Sequence, residues 1–391
     1  MRRLISYLFI LCVPNLYAAD LAEWVNKIAA EQPQALQSHA AQELSQAQRR
    51  QAERWFPQGA QWRISHENDA MTGSEGTNNW ELGIGFSLWA WGQRDAQQGL
   101  ADSYQQAQQD YQTLLKLDIA GVLRQAGWAL REAQVEVEIA EREWQVWLQL
   151  QQAVEQSVKS GDRPALDAQL AKQAALQAQQ TLIKAQFSQR QALQALAIWG
   201  IEQPLADLAE KLSSADWQQH PALRWQQQLV NQAQAEQQIA RSQLSGQPSL
   251  SVAAKQEQTN QMAANTALVV ELTLPFGQGN QLDLAKANHA QAEQQVSLAK
   301  LRRQLHQAWL QAQMQYELSQ QQQTLLAQQV ELNKSALIMA QRSYQAGETN
   351  LSELLRVQQQ TLATQREAAL AQVAVAKNLA LLNQALGVLP Q

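Results

Sequence analysis

Two carboxylates stand at matching places in this sequence: Asp167 and Glu353 each lie six residues beyond a glycine, Gly161 and Gly347, and the two glycines are 186 residues apart. Each acid falls in the first turns of a helix returning from a glycine turn, where the helix dipole favours negative charge whatever else the residue does. The five histidines, His39, His66, His220, His289 and His306, are scattered and show no His/Glu ligand spacing. No Ser/His/Asp grouping, glycine-rich phosphate loop or pair of catalytic carboxylates sits in a suitable context. The expectation is a protein that is not an enzyme and carries neither metal nor cofactor.

The elements that position these acids are long. No proline occurs from Gly92 to Ser160, and at 1.5 Å per residue a helix of that length spans roughly 100 Å. The segment from Gly279 to Ala346 matches it. Leu298, Leu301, Leu305, Trp309 and Ala312 follow three- and four-residue steps, and Leu318, Leu325 and Leu332 follow a heptad. Such stripes, flanked by Gln and rich in Ala, predict helices lying side by side as a tube or coiled coil. Gly161 and Gly347 are expected to end their helices with positive φ.

Composition agrees with few turns: 45% of the 391 residues are hydrophobic and 17% charged, with 16 Gly and 9 Pro. Residues 1–19 read as a secretory signal peptide, with Arg2 and Arg3, an apolar run from Leu4 to Val13, and Ala18 and Ala19. Cys12 is the only cysteine and falls inside that segment, so disulfides and thiolate metal sites are excluded from the mature chain. Net charge is −5, or −7 without Arg2 and Arg3 (28 basic against 35 acidic residues), and no basic patch calls for nucleic acid.

The chain reads as a repeat of two. "LGIGFSLWAWGQRDA" answers "VVELTLPFGQGNQLD", with Leu88 and Leu274 spaced 186 apart like the two glycines. Pro33 matches Pro221 and Pro57 matches Pro248. The first repeat covers 20–200, with a helix, strands at about 61–69 and 80–90, and long helices at about 92–160 and 163–199. A linker covers 201–219. The second repeat covers 220–391, with a helix, strands at about 249–258 and 266–275, and long helices at about 279–346 and 350–387.

The strands have one apolar face. In "WELGIGFSLWAWG", Trp80, Leu82, Ile84, Phe86 and Leu88 share one parity, with Glu81, Gly83, Gly85 and Ser87 opposite; Leu268, Val270, Leu272 and Leu274 repeat the pattern. Each strand is close to the roughly 9–11 residues that a tilted transmembrane strand needs. Four strands cannot close a barrel, and open edges in lipid leave backbone groups unpaired, so closure requires several chains; three would give 12 strands. Trp80, Trp89 and Trp91 bracket the strand as interfacial tryptophans do, with ordinary packing as the alternative role. Pro275, in the slot that Trp89 fills in the first half, cannot donate to a ladder and ends its strand.

A signal peptide, a twofold repeat, paired amphipathic strands and very long helices together resemble the TolC-like outer-membrane efflux family, over essentially the whole mature chain. "TLPF" followed by Gly279 is similar to the family's strand-to-helix junction, to which Trp89, Gly92 and Pro275 also belong, and "YQAGETNLSELLRVQQQTL" is similar to its periplasmic turn. The resemblance implies a mainly helical protein with membrane β-structure: a homotrimer whose 12-stranded barrel in the outer membrane continues into a long periplasmic α-helical barrel, with 201–219 as an equatorial segment. It further implies an exit duct of a tripartite efflux system, fed by a periplasmic adaptor and an inner-membrane pump of the RND type. "LAIWG" at Leu196 to Gly200 is similar to the CzcC-like heavy-metal branch, which implies heavy-metal cations as substrate. The alternative reading is a periplasmic coiled-coil adaptor or scaffold.

The resemblance also assigns residues. Ser160, Gly161, Asp162, Ala346, Gly347 and Glu348 fall at the tip that meets the adaptor. Acids at the Glu353 position ring the family's periplasmic entrance, with a second acid three residues on; here that position is Arg356. Tyr344 matches a tyrosine that holds the entrance closed by bonding an acid at the Asp167 position, and the family's arginine partner falls at Thr349.

Overall fold

The computed structural model describes residues 21–31, 34–71, 73–205, 208–277 and 279–390, with residues 34–39 described by backbone alone. The expected signal peptide at 1–19, Cys12 and the side chain of His39 lie outside the described residues. The element order is α1 (Leu21–Glu31), α2 (Gln34–Glu53), β1 (Gln61–Asn68), β2 (Asn78–Ser87), α3 (Gln93–Lys159), α4 (Ala165–Ala197), a 3₁₀ turn at Trp217–Gln219, α5 (Pro221–Ser242), β3 (Ser249–Thr259), β4 (Met262–Thr273), α6 (Gln281–Gln345) and α7 (Leu351–Ala385).

The chain forms two compact units, each drawing on part of α3 and α6. One unit holds the helical hairpins. In it α3 packs on α4 through Ala140, Leu182 and Ala185, then through Trp147, Ala175 and Ala178. It packs on α7 through Trp128, Val135, Ile139, Val373 and Ala380. Alanine supplies five of these eleven positions, and Trp128 and Trp147, with the partly buried Trp144, supply the bulk between the helices. In α6 only Ser319 is buried, leaving Leu318, Leu325, Leu332 and Met339 exposed at seven-residue intervals.

This unit also contains a buried polar joint. Arg124 is fully buried; its Nε and Nη2 donate to Glu210 at 2.7 and 2.9 Å, and Nη2 donates to the Val388 carbonyl at 3.0 Å. Asn383 donates to Glu210 at 2.8 Å and to the Lys211 carbonyl at 2.9 Å. These bonds fasten the segment between α4 and α5 to α3 and α7.

The other unit holds the sheet, one antiparallel layer in the order β1-β2-β3-β4. Its register aligns Trp62, Ile84, Val252 and Val270, and in the next row Ile64, Leu82, Ala254 and Leu268. The period-two alternation of a strand puts all of these on one face. Bulky members of that face are open: Trp62 is 73% and Leu268 74% exposed. On the opposite face lie Arg63, Glu81, Gly83, Gly85, Ser251, Ala253, Lys255 and Glu271, with Gly83 and Ala253 buried.

Strand ends differ from the expected ones. β4 begins at Met262 rather than near Thr266 because Asn265 still pairs with Glu257, and Met262 with Thr259 past a bulge, leaving only Asn260 and Gln261 as the loop. β2 begins at Asn78, paired with Asn68, and ends at Ser87 rather than near Ala90 because the chain turns into α3. A single chain carries four strands in one sheet.

Candidate functional site

Both turns that join the long helices are built by the same backbone chemistry. At the end of α3 the Gly161 N–H donates to the Val158 carbonyl at 3.1 Å and the Asp162 N–H to Ser157 at 3.0 Å; at the end of α6 Gly347 donates to Tyr344 at 3.1 Å and Glu348 to Ser343 at 2.9 Å. These are Schellman closures, in which the C′ residue takes positive φ, and Gly161 and Gly347 have φ of 85° and 78°. A Cβ at either glycine would meet nothing within 4 Å, so backbone conformation rather than space selects glycine.

Ser160, Gly161, Asp162, Ala346, Gly347 and Glu348 are all exposed. Ser160 donates its hydroxyl to Asp162 at 2.7 Å, which orders the first turn without covering it. Asn350 caps α7, its side chain accepting the Glu353 N–H at 2.9 Å, so Glu353 occupies the third position of a capping motif.

Glu353 is not a bare carboxylate. Arg356 donates to both its oxygens, at 3.0 and 2.7 Å, and this bidentate bond holds Glu353 below the usual carboxylate range while raising Arg356. The pair is exposed.

Tyr344 is half-buried against Val154, Ala171, Leu351 and Leu354. Burial pushes its hydroxyl pKa up; Arg163 opposes that and Asp167 adds to it. No hydrogen bond joins the Tyr344 hydroxyl to Asp167 among the described residues. Instead, the Arg163 guanidinium lies 4.2 Å from the centre of the Tyr344 ring and donates to the Tyr344 carbonyl at 3.1 Å. Sequence reasoning missed Arg163. Its one local signal is the following Pro164, which disfavours helical backbone at residue 163 and keeps the arginine in the turn.

A cleft of about 420 Å³ lies among α3, α4 and α7, lined by Glu143, Trp147, Gln177, Thr181, Leu355 and Arg366. Burial raises Glu143, and Arg366, 3.8 Å away, pulls the other way. The Nε of Arg366 is buried without a hydrogen-bond partner.

The strand-to-helix junctions sit in the sheet unit. Trp89 donates its indole N–H to the Arg54 carbonyl at 3.2 Å, Trp91 is 99% exposed, and Gly92 has φ 74° just before α3. Pro275 lies two residues past β4 and rests against Gly246. At this second junction the positive φ belongs to Gly277, at 116°, and not to Gly279.

His66 bonds Asn78 at 2.8 Å and stacks on Trp80, His220 caps α5, His289 pairs with Glu293 at 3.6 Å and His306 stacks on Trp217. Among the described residues no three His, Cys, Asp or Glu side chains are grouped to hold a metal ion, and no helix is long and apolar enough to cross a membrane.

No protein family matches the chain by its sequence profile, and no curated protein matches it. Solved structures do. The chain is similar to VceC, an outer membrane protein of Vibrio cholerae, at 19% identity and a TM-score of 0.73, over 94% of this chain and 96% of that one. It is similar to the MtrE outer membrane channel of Neisseria gonorrhoeae, in its open state, at 20% identity and 0.67, over 94% and 89%. It is similar to the CmeC outer membrane channel of Campylobacter jejuni at 15% identity and 0.66, over 93% and 86%. With near-complete coverage on both sides, the chain has the fold of the TolC-like outer-membrane channels.

Proposed function

We propose that this chain is the outer-membrane exit duct of a tripartite efflux system, working as a homotrimer. The observation that carries this reading is the sheet: one face of bulky apolar side chains is open, and β1 and β4 each lack a strand partner on one edge among the described residues. Lipid is the solvent that favours such a face, and it penalises unpaired edges by several kcal/mol per group unless the sheet closes. Pairing β1 of one copy with β4 of the next in three copies makes a 12-stranded barrel, with the polar face around the lumen. The exposed stripe of Leu318, Leu325, Leu332 and Met339 on α6 then packs against a neighbouring copy in a helical barrel. The likeness to channels of the outer membrane supports the same reading.

In this assembly Asp167, Tyr344, Glu353 and Arg356 stand at the periplasmic entrance. Ser160, Gly161, Asp162, Ala346, Gly347 and Glu348 form the tip that a periplasmic adaptor grips, and an RND-type inner-membrane pump supplies the substrate. Heavy-metal cations are the substrate class that Leu196–Gly200 points to.

The test is assembly and conduction. Purified protein in detergent is expected to have the mass of three chains and to conduct ions in a planar bilayer, and the native protein to stay with outer membranes after a carbonate wash. A water-soluble monomer, or release by carbonate, would defeat the duct and favour a periplasmic scaffold. For the substrate, loss of the gene is expected to sensitise its host to divalent heavy-metal salts; sensitivity to organic toxicants alone would remove the metal reading.

A further inference from the structure

We propose that Arg163 is a gate residue: it clasps Tyr344, ties the α3–α4 turn to the α6–α7 turn, and holds the periplasmic end closed. The proposal rests on the duct reading above.

Two contacts converge on this one side chain. Its guanidinium stacks on the Tyr344 ring at 4.2 Å, a favourable site for a cation over an aromatic face. It donates at 3.1 Å to the Tyr344 carbonyl, which already accepts the Gly347 N–H and lies in the last turn of α6. Carbonyls of a helix's last turn lack intrahelical donors and carry the negative end of the dipole, so a cation from another element caps them favourably. Arg163 therefore recognises the ring, the carbonyl and the end of α6 together.

The clasp joins two turns that are 181 residues apart in sequence. Each turn is locally closed by its own glycine, so neither needs the other to form. Behind them Val154, Ala171, Leu351 and Leu354 make an apolar contact between the hairpins. Past that cluster the arginine supplies a directional, breakable bond between the two exposed turns. Planarity matters, because a lysine can donate to the carbonyl but cannot stack as a flat cation. The phenol hydroxyl takes no part, in contrast to a lock built on a bond from Tyr344 to Asp167.

The experiment compares Arg163→Ala, Arg163→Lys, Tyr344→Ala and Tyr344→Phe in the full chain. Amide hydrogen exchange in detergent reads the clasp itself, and the resting conductance of single channels in a bilayer reads the gate. In Arg163→Ala and Tyr344→Ala, exchange at 158–163 and 342–348 is expected to quicken by roughly tenfold, the scale of a stacked, hydrogen-bonded cation, and resting conductance is expected to rise. Arg163→Lys should lie in between, and Tyr344→Phe should match the wild type, which also guards against mere misfolding. Unchanged exchange in Arg163→Ala overturns the clasp. Faster exchange without a change in conductance overturns its gating role, and Tyr344→Phe as leaky as Tyr344→Ala assigns the lock to the hydroxyl. A wild type that forms no channels defeats the duct reading and the gate with it, while exchange still shows whether the clasp exists.

Discussion

Arg63 on β1 and Glu271 on β4 meet at 3.8 Å across the polar face of the sheet, over two intervening strands. Strands lie about 4.8 Å apart, so the two backbones are separated by roughly 14 Å along the sheet. The side chains can reach each other because the floor between them is Gly83, Gly85, Ser251 and Ala253. Gly83 is the tightest point: a Cβ there would stand 2.8 Å from that of Ala253.

If this face lines a lumen, the pair contributes to its charge along with Glu81 and Lys255. Arg63→Glu changes each chain by two charges and is expected to raise the cation-to-anion permeability ratio about two- to threefold, since like charges in a confined pore concentrate counter-ions. The exchange Arg63→Glu with Glu271→Arg should restore the wild-type ratio. Reversal potentials under a salt gradient measure it. Because both side chains are more than half exposed, the pair should matter little to stability.

Arg124 is the opposite case, a fully buried cation whose partner Glu210 is only 11% exposed. Arg124→Met leaves Glu210 without its cation and the Val388 carbonyl without this donor. Breaking a buried pair from one side should destabilise the chain by roughly 3–5 kcal/mol. Adding Glu210→Gln should recover a substantial part. Denaturant midpoints of the two variants, compared with wild type, check this.

At the proposed entrance, Glu353 is already neutralised by Arg356. Glu353→Gln leaves Arg356 without its counter-charge and should lower the cation preference about twofold, whereas Arg356→Ala leaves one uncompensated carboxylate per chain and should raise it about twofold. The pH dependence follows from the lowered carboxylate. The unfolded chain takes up the Glu353 proton first, so the pair's contribution is present above the ordinary carboxylate pKa and is lost as pH falls through the lower folded value. Arg356→Ala should bring Glu353 back toward the ordinary value, readable by carboxyl NMR titration.

Glu143 has the reverse sign. Burial raises it, so the folded chain holds this proton more firmly than the unfolded one. Between the ordinary carboxylate pKa and the raised folded one, stability falls as pH rises; below that window the penalty is gone. Glu143→Gln should raise the melting temperature by on the order of 1–3 °C at pH 7, and the difference should vanish near pH 4. A variant that melts lower at pH 7 would mean that attraction to Arg366 outweighs the burial penalty.

Much of this architecture is legible locally. Gly161 and Gly347 announce helix ends because a C′ position needs positive φ, and the parity of Trp80, Leu82, Ile84 and Phe86 announces a one-faced strand. The long helices show in the absence of proline and in Leu318, Leu325 and Leu332. Less legible were the edges, where Met262–Asn265 looked like loop but still pairs, and the positive φ that Gly277 carries at the second junction. Arg163 carried almost no signal, because what defines it is a ring and a carbonyl on another hairpin.

The sequence by itself determined the sidedness of the strands, the length of the helices and the placing of their turns, since these follow from φ/ψ preference and apolar period over a few residues. Only the tertiary structure decided that β2 pairs with β3 to merge two hairpins into one sheet, that Arg124 finds Glu210, and that Arg163 finds Tyr344. Those partners are separated by 86 residues or more in the two side-chain cases. Which distant surfaces meet depends on how all the packed faces fit together, and no local window of the chain carries that information.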